Sequence, residues 1–208
     1  MQRKDNSLSG LNKKKFTDVN FDKQNFAEKE IAGAVFSGCS FKHADFSGAA
    51  TVACQFINCD FTQANLSSSI HKHSAFLNCK FAGGNLFMAV FNQCKMTGSS
   101  FEGASFIGLE TVEGDWSYCS LRDSDLKGIN FRNARLVEAD LCNCRLDKAD
   151  LRDADLTGAI LANSTLLDAD IRGAKIDGID FSTVKIKGAK IDLKQAVHIA
   201  ESLGAVVQ

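Results

Sequence analysis

Stepping through the chain five residues at a time from Leu11, almost every stop is a large apolar side chain: Phe16, Phe21, Phe26, Ile31 and onward to Ile186 and Ile191. Of these 37 positions, 34 are Leu, Phe, Ile, Met or Trp, and the phase never slips. A period of five fits neither a helix, at about 3.6 residues per turn, nor the strict alternation of a strand. It requires a repeat with its own geometry.

The other positions of the unit are constrained as well. Two residues before each centre the chain is small: of 36 such positions, 28 are Ala, Cys, Ser or Gly. Two residues after the centre sit 12 of the 16 glycines, where a tight turn or positive φ is wanted. The residue just before the centre is often Asp or Asn, as at Asp45, Asn65, Asp140 and Asp155. One large and one small inward side chain with a turn-former between them describe one side of a square coil, with the polar positions facing water.

This pattern resembles the pentapeptide-repeat family, with clear units at Ala139-Asp140-Leu141, Ala149-Asp150-Leu151, Ala154-Asp155-Leu156 and Ala169-Asp170-Ile171. The resemblance covers residues 11–191. It implies an all-β solenoid, a right-handed quadrilateral β-helix of about nine coils, with strands stacked about 4.8 Å apart in a rod roughly 40 Å long. Residues 1–10 are then an N-terminal cap and 192–208 a C-terminal module.

With no proline, every backbone N–H is free to join a ladder between coils. No apolar run reaches the length of a membrane span, and Met1-Gln2-Arg3-Lys4 leads into no signal-peptide core. The expectation is a cytoplasmic protein that is not an enzyme and holds neither metal nor cofactor. Seven of the eight cysteines (Cys39, Cys54, Cys59, Cys79, Cys94, Cys119 and Cys144) fall on the small inward position, where a reduced thiol fills a buried slot. Only Cys142 does not. His71-Lys72-His73 lacks a third ligand and reads as loop surface. No nucleophile–base set and no Gly-rich phosphate loop is present.

Three centres break the rule: Thr51, His71 and Thr111, all on the same face of a 20-residue square. One face therefore tolerates bulged segments. The longest runs from Ile107 through Gly108, Leu109, Glu110, Thr111, Val112, Glu113 and Gly114 to Asp115, and is expected to project as a partner-binding loop.

After Ile191, Asp192 is placed to cap a helix, Leu193, Ala196, Val197, Ala200 and Leu203 follow at helical spacing, and Gly204 ends it before Val206 and Val207. A rod needs its end covered, and a helix that plugs the coil with one face can offer the other to a second copy. Gly188–Asp192, Gln195-Ala196, Glu201 and Leu203-Gly204 resemble the C-terminal end of the Qnr subfamily, which protects DNA gyrase from quinolones. So does Phe101–Phe106 followed by an irregular segment.

That resemblance implies a homodimer joined through residues 192–207, which binds DNA gyrase or topoisomerase IV partly as a DNA mimic and binds no nucleic acid directly. Residues 102–170 hold 14 acidic against 7 basic side chains, which in an end-to-end dimer form one central negative surface, with Asp140, Asp155 and Asp170 among its acids. The alternative is a scaffold of the same fold with another protein partner.

Overall fold

The computed structural model describes residues 10–208, so the expected cap at residues 1–10 lies almost wholly outside the described residues. Two parallel sheets wind along the rod. The first stacks β1 (Lys15–Thr17), β3 (Val35–Ser37), β5 (Gln55–Ile57) and β7 (Ala75–Leu77). The second stacks β2 (Glu30–Ala32), β4 (Ala50–Val52), β6 (Ile70–Lys72), β8 (Val90–Asn92) and β9 (Glu110–Val112). All pairs are in register at a separation of 20 residues, as in Phe36↔Phe56 and Ile31↔Thr51. Single bridges at the same separation continue to Asp170↔Lys190. The fold is a quadrilateral β-solenoid, and the 180 residues from Leu11 to Lys190 wind nine times at 20 residues per coil. A single helix, α1 (Leu193–Ser202), follows.

A full account of the five backbone donors explains the unit. In the pentad centred on Phe46, Asp45 N–H donates to Gln24 O at 3.0 Å on the previous coil. Phe46 and Gly48 donate to Asn65 O and Ser67 O on the next coil, and Ala49 donates back to Phe46 O within the turn. The fifth donor, Ser47 N–H, goes to the Asp45 carboxylate at 2.9 Å. Asp or Asn precedes the centre because its side chain takes the one donor the ladder leaves over. From Lys13 to Gly188 the residue two after the centre is left-handed everywhere except at Thr183, with φ from 49° at Glu113 to 79° at Gly178; on the turn faces this is the type II signature.

On the two strand faces the pentad closes differently. Phe36, Thr51, Phe56, His71, Phe76 and Phe91 receive no turn bond from the residue three further on. The N–H at the small position loses that acceptor, and a side chain one coil further on replaces it. Cys54 N–H donates to Ser74 Oγ at 3.2 Å, and Cys79 N–H to Ser99 Oγ at 2.9 Å. The sulfurs of Cys39, Cys54 and Cys94 accept in the same way from Val19, Ala34 and Ser74. The same groups then donate to centre carbonyls, as Cys59 does to Phe36 O at 3.4 Å and Ser99 to Phe76 O at 2.8 Å. Small slots beside strand faces, from 39 to 99, are accordingly Cys, Cys, Cys, Ser, Cys, Cys and Ser; beside turn faces, from 44 to 104, they are Ala, Ala, Ala, Ser, Gly, Ala and Ala. The thiols are buried, as expected, but they are hydrogen-bonding bridges as much as apolar filler. Burial pushes the Cys119 and Cys144 thiols up to about 12, which keeps them protonated and slow to react.

The irregular centres do not mark projecting segments, and both loop expectations are overturned. His71 is in the core, 1% exposed. Ser69 Oγ donates to Leu66 O, so it accepts from His71 Nε2–H at 2.9 Å, and His71 Nδ1 accepts from the Thr51 hydroxyl at 2.7 Å. Ser74 Oγ completes the buried chain 3.1 Å from Thr51. Ile107–Asp115 likewise stay in the coil: β9 pairs with β8, and Leu109 and Thr111 are buried. Their departures from the repeat accommodate Trp116, which is fully buried against Phe91, Phe101 and Phe131. A Cβ on Gly114 would lie 2.8 Å from Trp116 Nε1, so the indole requires glycine there.

Candidate partner-binding surfaces

Surfaces, not a cleft with convergent reactive groups, are what this rod offers. Among the described residues no group of His, Cys, Asp and Glu is arranged to hold a metal, and no helix is long and apolar enough to cross a membrane.

The expected acids are less available than the sequence suggested. Asp140, Asp155 and Asp170 each accept the backbone N–H two residues on, from Cys142, Thr157 and Arg172. Each also meets a base: Arg122 at 3.0 Å, Lys175 at 3.0 Å and Arg172 at 2.7 Å respectively. The bonds from Arg172 hold the Asp170 carboxyl at about 2. Burial alone would raise Asp140, but bonds from Cys142 and Arg122 outweigh it and keep it below the usual carboxylate value. These three acids close turns and ion pairs before they face any partner.

The remaining charge is distributed by face. From Asp115 on, the two adjacent faces centred on Trp116 and Leu121 carry seven acids (Asp115, Asp123, Glu138, Asp140, Asp155, Asp177 and Asp180) against Arg122, Arg135 and Lys175. The opposite two faces carry an ion-pair ladder in which Arg132, Arg145, Arg152 and Arg172 meet Asp125, Asp147, Asp150, Asp153 and Asp170. The last coil and the start of α1 are basic, with Arg172, Lys175, Lys185, Lys187, Lys190 and Lys194 against Asp177, Asp180 and Asp192. Bases therefore gather at the C-terminal end of the rod, beside the acidic faces.

The stretch 107–115 remains notable as surface. Ile107 is 69% exposed above Phe87 and Met88, at 43% and 55%. This ridge runs onto the outer side of β6, β8 and β9 through Ile70, Val90 and Val112. Glu102 and Glu110 stand nearby without an ion pair among the described residues, and Glu113 bonds only Gln93. Sequence reasoning found Ile107 and Val112 but missed Phe87 and Met88, which occupy ordinary repeat positions.

At the C-terminal end, Asp192 and Gln195 form a reciprocal capping box with two bonds of 3.0 Å. Asp192 Oδ2 also accepts Gly173 N–H, and Gln195 Nε2 donates to Ile171 O and to Ala174 O at 2.8 Å. These side chains replace the next coil of the ladder, and Ile199 covers the apolar end. The plug is thus made by Gln195, which the sequence marked only as part of the C-terminal resemblance, and by Ile199, which it did not mark. Of the apolar positions it did, Leu193, Leu203, Val206 and Val207 are exposed, and Ala196, Val197 and Ala200 are half-buried. A groove of about 360 Å³ lies between α1 and the last coil, lined by Lys175, Ile176, Val197 and His198 among others.

The model for pentapeptide repeats matches residues 15–49, 117–147 and 149–188. The chain belongs to the pentapeptide-repeat family. No curated protein matches it in sequence. Among solved structures it is similar to full-length QnrB1, a plasmid-mediated fluoroquinolone resistance protein, with a TM-score of 0.84 at 21% identity over 93% of this chain and 99% of that one. A trypsin-treated form of QnrB1 gives the same TM-score at 22% identity over 95% and 99% of the two chains. HetL from Nostoc sp. strain PCC 7120, a pentapeptide-repeat protein involved in regulating heterocyst differentiation, is more distant, with a TM-score of 0.60 at 21% identity over 86% and 85%. At these identities the likeness establishes the pentapeptide-repeat fold.

Proposed function

We propose that this pentapeptide-repeat protein binds a type II topoisomerase, DNA gyrase or topoisomerase IV, as an end-to-end homodimer and protects it from quinolones. The observation that carries the reading is the end-to-end likeness to QnrB1, which spans the whole rod of both chains. Three features of the surface support it. The C-terminal helix plugs the coil with Gln195 and Ile199 and leaves Leu193, Leu203 and Val206 uncovered, as a self-complementary end requires. Two adjacent faces are acidic and suit a cleft built to hold DNA phosphates with Lys and Arg. The ridge formed by Phe87, Met88 and Ile107 supplies apolar contact in place of a projecting loop.

The basic C-terminal end and the ion-pair ladder on the other two faces favour a second reading, a scaffold that binds a different protein, because a mimic of duplex DNA should be acidic all round. A gyrase supercoiling assay with ciprofloxacin separates the two. The first reading expects this protein to restore supercoiling in the presence of drug. Absence of both gyrase binding and any change in drug-induced cleavage would leave the scaffold.

A further inference from the structure

One corner of the rod is unlike the rest. The corner between the two acidic faces is occupied on successive coils by Gly98, Tyr118, Glu138, Gly158 and Gly178. Tyr118 and Glu138 therefore stand clear of a corner otherwise stripped to backbone. Tyr118 is the single tyrosine of the chain, is 56% exposed, and holds φ at 60°. A bulky aromatic residue is disfavoured in the left-handed region, and at this corner the other coils use Asp, Asn, Glu or Gly. The ring is mostly exposed and, among the described residues, stacks on no other aromatic side chain.

The surroundings point to a cation. Glu138 lies one rung above Tyr118, about 4.8 Å along the rod. Its Cγ lies 3.2 Å from where Gly158 would carry a Cβ, so the Glu138 side chain runs over a bare glycine step. Glu138 and Asp123 have no ion-pair partner among the described residues. Beside the same step, Ile160 is 51% exposed on the adjacent face. A ring face, an unpaired carboxylate, a bare backbone shelf and an aliphatic side chain match the parts of an arginine: guanidinium on the ring and carboxylate, methylenes along the shelf and Ile160.

We propose that Tyr118, Glu138 and Ile160 form an anchor for an arginine side chain presented by a protein partner. This deepens the topoisomerase reading by assigning a specific contact within the acidic faces, and it rests on that reading only for the partner's name. The ring selects arginine over a diffuse positive field, because cation–π attraction is short-ranged whereas the net charge of the faces is not.

The test needs no topoisomerase, so either idea can fail alone. A hexa-arginine peptide is titrated into the full-length protein at low salt, with affinity read by fluorescence anisotropy of the labelled peptide. The ring protons of the one tyrosine are followed by NMR. The expected result is a saturable shift of the Tyr118 ring, with affinity lowered roughly fivefold to tenfold by Tyr118→Ala and kept by Tyr118→Phe. Glu138→Gln should lower it similarly, and a hexa-lysine peptide should bind more weakly than hexa-arginine. All of these side chains are on the surface, and far-ultraviolet circular dichroism checks that the variants fold. If Tyr118→Ala binds hexa-arginine as tightly as the parent, or the ring signals do not move at saturation, the faces read charge alone and the anchor is refuted.

Discussion

Between residues 11 and 112 two faces of the coil are strands, the core is stacked phenylalanine, and thiols or hydroxyls bridge successive coils. From residue 113 to 191 all four faces are turns, the core is mostly leucine, and the small slots are mostly alanine. The difference teaches where the surface comes from. A turn pentad needs Asp or Asn before its centre to take the leftover donor, so the C-terminal half acquires carboxylates as part of its folding. A strand pentad has no such need, and its outward positions become Val35, Ala50, Ile70, Ala75 and Val90. Acidic faces in one half and an apolar ridge in the other are consequences of two ways of closing the same five residues.

The largest effect that would sharpen this comparison is in the core. Phe61 stacks between Phe41 at 4.8 Å and Phe81 at 5.0 Å, whereas Leu141 fills the equivalent place four coils on without aromatic neighbours in its column. Phe61→Ala should cost about 4 kcal/mol and Leu141→Ala about 3 kcal/mol, read from urea unfolding. Equal losses would mean that the ring stacks add nothing beyond buried area, and that difference between the halves would disappear.

The thiol bridges come next. Cys59→Ala removes both the acceptor for a backbone N–H and a donor to Phe36 O, and should cost about 2 kcal/mol, while Cys59→Ser should keep both bonds and lose less. Cys144→Ala should cost less than Cys59→Ala, because Leu121 O already accepts from Ser124 N–H at 3.2 Å. A cost at Cys144 as large as that at Cys59 would show that the sulfur acts only by filling space. In the native protein, all eight thiols should react slowly with a soluble maleimide.

The two halves should also lose stability to acid in different windows. Burial lowers His71 from 6.5 to about 3, so between those values the unfolded chain binds a proton that the folded chain refuses. Stability then falls as pH drops below about 6.5. In the C-terminal half the paired carboxylates are lowered, Asp170 from 3.8 to about 2, so their contribution is intact above 3.8 and is lost only below it. Replacing Thr51→Val together with His71→Phe leaves Ser69 and Ser74 bonded to their own carbonyls. The double variant should flatten the urea midpoint between pH 6.5 and 4.5. An unchanged slope would place the acid sensitivity elsewhere.

The sequence showed the square coil, its phase and its end at Ile191, because an inward side chain every five residues is a packing constraint that nothing else satisfies. It did not show which pentads become strands. That choice lies in which backbone donor finds which acceptor one coil away, and only the Cys and Ser slots carry a trace of it. Thr51, His71 and Thr111 looked like breaks because a buried polar chain and a space-demanding Trp116 both appear in sequence as departures from an apolar rule. Phe87 and Tyr118 occupy ordinary outward positions, so nothing in the repeat marks them as exposed apolar or aromatic features.

The smallest effect separates the two kinds of acid. Asp140 closes a turn through Cys142 N–H at 3.1 Å and pairs with Arg122, whereas Glu138, two residues away, has neither role. Asp140→Asn keeps the turn acceptor and should change stability by less than about 0.5 kcal/mol; Asp140→Lys removes it and should cost about 1 kcal/mol. Glu138→Lys should leave the unfolding midpoint unchanged. In partner binding the order should reverse: Glu138→Lys weakens association more than Asp140→Asn, and more at low salt than at high, since screening already weakens an exposed charge. Gyrase, or a basic peptide standing in for it, serves as the probe. If Asp140→Asn proves the more harmful to binding, the turn acids are the recognition surface after all, and the division between folding charge and binding charge fails.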